Sequence, residues 1–131
     1  MNDKTRILIC DDETHILHVV GLNLRSAGYE PVLAANGEQA LEAVAQSPPA
    51  LCVIDHQMPG MTGSELCRRL RAFPGLEATP IVMLTAADFR MPRPGDGDEQ
   101  LSAVVGKPFS PKALIELIQS LLAPSRIGED Q

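Results

Sequence analysis

The chain has 131 residues, 17 acidic against 11 basic, for a net charge of −6. That length fits one domain, and 44% hydrophobic with 21% charged residues is globular usage, not that of a disordered chain. The acidic balance and 3% aromatic content disfavour direct nucleic-acid binding, which needs a basic surface and stacking faces, and no apolar run approaches the ~18 residues needed to span a bilayer.

Residues 7–10, Ile-Leu-Ile-Cys, form the first short apolar run. Ile16, Val20 and Leu24 then recur every four residues, the spacing of a helix that Gly28 closes. Residues 31–35 are a weaker apolar run. Asn36 precedes Gln39 at capping-box spacing, and Ala40, Leu41 and Val44 continue as a second helix. Residues 51–54 are apolar, and Thr62 before Glu65 opens a third helix carrying Leu66 and Leu70. Residues 81–84 and 103–105 are the remaining apolar runs. Ser110 followed by Pro111 reads as an N-cap with proline at the first helical position. Leu114, Leu117, Ile118 and Leu121 give that last helix its apolar stripe.

None of the runs alternates apolar with polar, so the strands are predicted to be covered on both faces, as in a parallel sheet. Strand followed by helix, repeated, predicts an α/β doubly wound sandwich with right-handed crossovers. Residues 91–98 hold two prolines and two glycines. A helix between the fourth and fifth strands is therefore short or irregular, at most residues 98–101. Residues 1–122 read as one domain, and 123–131 as a flexible tail or the start of a linker.

The polar residues at the strand ends carry the functional signal. The first run ends in Asp11 and Asp12, the third in Asp55, the fourth in Thr85, and the fifth in Lys107 after Gly106. In an open parallel sheet, ligands bind beyond the carboxyl ends of the strands, where strand order reverses. These residues are predicted to converge there. Two carboxylates ~4 Å apart repel by about 4 kcal/mol at an effective dielectric of 20. Keeping three ionised requires a cation. Oxygen ligands without histidine or cysteine suit Mg²⁺. With Lys107 and the Thr85 hydroxyl opposite, the cavity is built to bind a phosphoryl group.

These residues, with Asp11-Asp12-Glu13, Asp55 followed by Met58-Pro59-Gly60-Met61-Thr62-Gly63, Thr85-Ala86 and Lys107-Pro108-Phe109, resemble the receiver domain of two-component response regulators, of the chemotaxis CheY type. The resemblance covers roughly residues 5 to 122. It implies a flavodoxin-like five-stranded sheet in the order 2-1-3-4-5. It implies that Asp55 is the phosphoacceptor, charged by the phosphohistidine of a sensor histidine kinase or phosphotransfer protein. Asp12 would ligate Mg²⁺ directly, Asp11 through water, and Gln57 through its backbone carbonyl. Thr85 would bind a phosphoryl oxygen, and Lys107 would pair first with Asp55 and then with the phosphoryl group. Such a domain is a self-phosphorylating switch without multiple-turnover chemistry, and it signals to a downstream protein or output domain. The Lys107-Pro108 bond resembles the family's cis peptide.

Two departures stand out. The position three before the lysine usually carries an aromatic that swings inward; here it is Val104. The proline- and glycine-rich segment replaces much of the usual fourth helix. Both features motivate switching by an order–disorder change of residues 88–101. They also motivate the alternative of a receiver-like interaction module that signals without phosphorylation. A metal-dependent phosphatase would place a second acid two residues after the nucleophile, where Gln57 stands, and a flavin carrier would meet repulsion from Asp11 and Asp12.

Smaller features take plainer readings. His15 and His18 are spaced for zinc but lack a third ligand, so a solvated face is expected. Leu17 and Gly21 share the expected exposed side of the first helix, with Leu17 as a kinase-docking contact. Cys10 and Cys52 are expected as small core residues on neighbouring strands, and Cys67 as partly buried. Three cysteines without a CxxC pair point to a reducing cytoplasm. Residues 96–99 hint at a calcium loop that lacks its remaining ligands. The last helix's stripe is read as core packing, with homodimerisation second.

Overall fold

The computed structural model describes residues 4–86 and 101–123. The elements follow in the order β1 (Arg6–Cys10), α1 (Thr14–Ser26), β2 (Glu30–Ala34), α2 (Gly37–Gln46), β3 (Leu51–Asp55), α3 (Gly63–Arg71), β4 (Ile81–Ala86), β5 (Ala103–Lys107) and α4 (Pro111–Leu122). All strand pairings are parallel, and the five strands lie in the order β2-β1-β3-β4-β5. This is the predicted doubly wound sheet. The expected short piece at 98–101, the calcium-like run at 96–99 and most of the 88–101 switch segment lie outside the described residues.

The continuous apolar runs become strands because both faces of the sheet are covered. Every residue of β3 is buried. Alternation sends Leu8, Cys10, Cys52, Ile54 and Met83 to one side, where Ala40, Val44, Leu66 and Leu70 of α2 and α3 cover them. Ile7, Ile9, Val53, Val82 and Leu84 go to the other side, against Val20 and Leu24 of α1 and Leu114, Ile115 and Ile118 of α4. In α4 the deep positions are thus 114, 115 and 118, while Leu117 and Leu121 are only partly buried. Val104 packs half-buried on the α2–α3 side.

The helix ends follow from their caps. Asn36 Oδ1 accepts from Gln39 N at 2.8 Å, while Gln39 Oε1 reaches back to Ala35 N. Thr62 and Ser110 accept from the N–H three residues on, at 3.2 Å each. Only half the box predicted at Thr62 forms, because Glu65 turns to Arg69 one helical turn away. Gly28 follows α1 with φ +96°, a left-handed stop. His15 and His18 are exposed as expected. Leu17 and Gly21, expected on the exposed side, are buried. Residues 16 and 17, 20 and 21, and 24 form a wider stripe than a four-residue repeat alone, because α1 packs on α4 and also over β2, where Gly21 faces the Pro31 and Leu33 side chains. The docking role expected of Leu17 therefore falls. All three cysteines are buried and none forms a disulfide, Cys67 lying more deeply than expected.

The link between β3 and α3 is tight. Gly60 takes φ +80°, and Gly63 lies so close to the strand that a Cβ there would collide with the Asp55 carbonyl oxygen and with the His56 Cα. Gly63→Ala is expected to destabilise the fold by about 1–3 kcal/mol, since backbone cannot move aside as a flexible side chain can. Gly106→Ala, with nothing within 4 Å of its added carbon, should stay within about 0.5 kcal/mol of the parent. Thermal melts of the two variants check this, and equal melting temperatures would contradict the crowding at Gly63.

Candidate functional site: an acid cluster at the strand tips

The sheet's connections diverge at β1, which pairs with β2 on one side and β3 on the other. Such a reversal leaves a crevice beyond the strand ends. Cys10 pairs with Ile54, so one residue further on Asp11 and Asp55 stand side by side. Ladder bonds running past the strand ends hold both backbones: Asp11 N donates to Ala34 O at 3.1 Å, and His56 N to Leu84 O at 2.8 Å. Asp11 is fully buried and Asp55 is 5% exposed, whereas Asp12 is open to solvent.

Carboxylate oxygens of Asp11, Asp12 and Asp55 lie within 4.8 Å of one another. Lys107, at the end of β5, brings its ammonium 3.0 Å from Asp11 Oδ2, 3.3 Å from Asp55 Oδ1 and 2.9 Å from Glu13 Oε1. The contact to Asp11 Oδ2 is ionic and lies off the hydrogen-bonding directions. Asp11 Oδ1 accepts from Glu13 N at 2.9 Å, so it is Asp11 that turns the chain into α1, and not Asp12.

Burial, and then the negative charge of Asp11, push the Asp55 carboxyl up to about 6, although Lys107 pulls the other way. Burial alone would lower the Lys107 pKa, but the hydrogen bond to Glu13 and the close negative charges of Asp11 and Asp55 outweigh it and raise it. Glu13 is held below the usual carboxylate range by its hydrogen bond to Lys107 and by that residue's charge. Asp55 thus resists ionisation as a bare acid. A divalent cation would remove the resistance, and three clustered oxygens are a hard-ion donor set.

Of the sequence-predicted residues, the structure brings together Asp11, Asp12, Asp55 and Lys107. Thr85 stands at the neighbouring strand end, opposite Gly106, with its hydroxyl donating to the Ala86 carbonyl at 3.1 Å. By alternation it continues the series of Met83, while Asp55 and Lys107 continue those of Val53 and Val105. Its hydroxyl bond goes to that carbonyl and not to Lys107 or the acids. Gln57 is exposed two residues past Asp55 in the β3–α3 loop, beside Met58, Pro59 and Thr62. The Lys107–Pro108 bond is cis. Glu13 as a partner of Lys107 was not legible in the sequence. The two are 94 positions apart, and only folding of β5 beside α1 joins them. Next to this pair a cleft of about 380 Å³ opens between α1 and the β5–α4 link, walled by Ile16, Val20, Pro108 and Phe109.

A doubly wound parallel sheet with carboxylates at the tips of β1 and β3 and a lysine after β5 is the layout of a receiver domain. Residues 7–119 match the family model for the response regulator receiver domain, and the chain belongs to that family. It is 35% identical over 128 residues to the DNA-binding response regulator MtrA of Mycolicibacterium smegmatis, covering 98% of this chain and 54% of the relative. The chain thus spans about half the length of the curated relatives it matches. Among solved structures, the chemotaxis protein CheY4 of Vibrio cholerae aligns with a TM-score of 0.80 at 31% identity, covering 91% of this chain and 99% of that one. A putative response regulator from Chloroflexus aurantiacus aligns with a TM-score of 0.83 at 33% identity, covering 93% and 100%. Among the described residues, no helix is long and apolar enough to cross a membrane.

The raised Asp55 pKa has a stability consequence. Between pH 3.8 and about 6 the folded chain holds a proton on Asp55 that the unfolded chain has released. Stability therefore falls as pH rises through that window, and the deficit is complete above it. In metal-free buffer, Asp55→Asn is expected to be more stable than the parent by about 1–3 kcal/mol at pH 7.5, with the gain vanishing below pH 3.8. Denaturant melts across pH measure it; a pH-independent difference would contradict the assignment to Asp55 ionisation.

Proposed function

We propose that this receiver domain accepts a phosphoryl group on Asp55 in a Mg²⁺-dependent reaction and thereby signals to a downstream protein or output domain. The observation that carries the reading is the meeting of three carboxylates within 4.8 Å with an ammonium 3.3 Å from one of them. Asp11, Asp12 and Asp55, with the Gln57 carbonyl, would hold the metal. Bound there, the metal would neutralise charge on the acids and on the phosphoryl oxygens.

The donor is the phosphohistidine of a sensor histidine kinase or phosphotransfer protein. An Asp55 carboxylate oxygen attacks phosphorus, the P–N bond breaks, and the departing imidazole nitrogen keeps the electron pair. Lys107 moves from the Asp55 oxygen to a phosphoryl oxygen. Thr85 exchanges its bond to the Ala86 carbonyl for one to the phosphoryl group. The product is an acyl phosphate on the protein itself, so the chain is reactant and catalyst together. Val104, which has no ring to rotate, favours the second reading of signalling without phosphorylation, and the intact charge cluster opposes it.

Incubation with acetyl phosphate and Mg²⁺, followed by intact mass measurement, separates the two. The expected result is one added phosphoryl group on the parent, absent from Asp55→Asn and absent without the metal. An unchanged mass under every condition would favour the interaction module, and turnover of free phosphoester would point to a phosphatase.

A further inference from the structure

The ammonium of Lys107 carries three N–H donors. Its shortest contact is to Glu13 at 2.9 Å, with Asp11 at 3.0 Å and Asp55 at 3.3 Å. Its hydrogen bond goes to Glu13, the one of these carboxylates that lies outside the acid cluster, while Asp11 Oδ2 receives none. Glu13 occupies the N-cap of α1, where a side chain ordinarily accepts from the first helical N–H groups. It makes no such bond. Its carboxylate extends instead to the end of β5. The Glu13 side chain is 50% exposed against 18% for Lys107, so the pair sits at the rim of the pocket, where a contact can be exchanged.

We infer that Glu13 is a positioning residue that gives the Lys107 ammonium a second seat, drawing one of its N–H donors away from Asp55 and from an arriving phosphoryl group until that contact is released. This rests on the phosphoryl-acceptor reading of Asp55. An N–H directed at Glu13 is not directed at a phosphoryl oxygen, because charge-assisted hydrogen bonds are directional. Transfer thus includes giving up one bond at the rim to gain one at phosphorus. The cation is kept close, yet not fully committed to the nucleophile.

The test compares modification rates with acetyl phosphate and Mg²⁺ by intact mass. Glu13→Gln is expected to be about threefold faster than the parent, the range that one partly exposed ion pair commands. Glu13→Asp keeps the charge but is one methylene too short for the contact, so it should match Glu13→Gln. In a Lys107→Ala background, Glu13→Gln should add nothing. A separate readout needs no phosphodonor: the ¹⁵Nζ resonance of Lys107 should shift in both Glu13 variants. Melting temperatures should stay level, since no cap bond is lost.

Equal rates with an unmoved Lys107 resonance would overturn the inference and leave the phosphoryl reading standing. So would a Glu13→Asp variant that behaves as the parent, or a Glu13→Gln gain that persists without Lys107; either would reduce Glu13 to a diffuse charge. Absence of any mass gain, in parent and variants alike, would sink the phosphoryl reading and this inference with it.

Discussion

Three carboxylates held within 4.8 Å repel one another, and this repulsion organises the rest of the site. At that spacing each pair costs several times thermal energy unless a cation intervenes. Among the described residues, the cation paired with the cluster is Lys107, whose single charge cannot neutralise three acids. The shortfall surfaces at Asp55, where burial and Asp11 hold the carboxyl up near 6. On the proposed reading, a further dication would complete a site that its own residues leave electrostatically unbalanced.

The sheet makes such packing possible. Side-by-side strands fix Asp11 and Asp55 through backbone bonds that continue past the strand ends, so repulsion cannot be relieved by splaying them apart. Behind them, β3 is buried along its whole length. In front, Gly63 brings the start of α3 onto the Asp55 carbonyl, a seat with no room for a Cβ. The site is thus assembled from element ends whose positions are set by the apolar faces further down. Hydrophobic burial on the two sides of the sheet holds together what charge would drive apart.

Much of this was legible in the sequence because it depends on local chemistry. Unbroken runs such as Leu-Cys-Val-Ile before Asp55 signal strands covered on both faces, and polar residues just past such runs signal strand tips. Caps at Asn36, Thr62 and Ser110 announce themselves by residue type. The misjudgement of Leu17 and Gly21 arose where tertiary packing widens a helix's buried stripe: beside its contact with α4, α1 lies over β2, where Gly21 faces Pro31 and Leu33, and a four-residue repeat cannot show that contact. The Glu13–Lys107 pair escaped for a related reason. Nothing near Glu13 in sequence marks it as the partner of a residue 94 positions away. Residue type told which groups could pair, while only the fold shows Lys107 meeting Asp11, Asp55 and Glu13 together.

The floor of the pocket explains why oxygen, and not sulfur, would do the ligating. Cys10 is the immediate neighbour of Asp11, and a thiolate there would compete for a soft metal. Strand alternation turns its sulfur to the α2–α3 side, where it lies 3.6 Å from the Met58 sulfur and 3.4 Å from the Asn36 carbonyl. Burial, with the charges of Asp11, Asp55 and Asp12 behind it, pushes the thiol up to about 12. The thiol therefore stays protonated and neutral at physiological pH. Burial first, and the neighbouring acids after it, thus keep the Cys10 sulfur neutral, which leaves the carboxylate oxygens as the donors that a hard ion would meet.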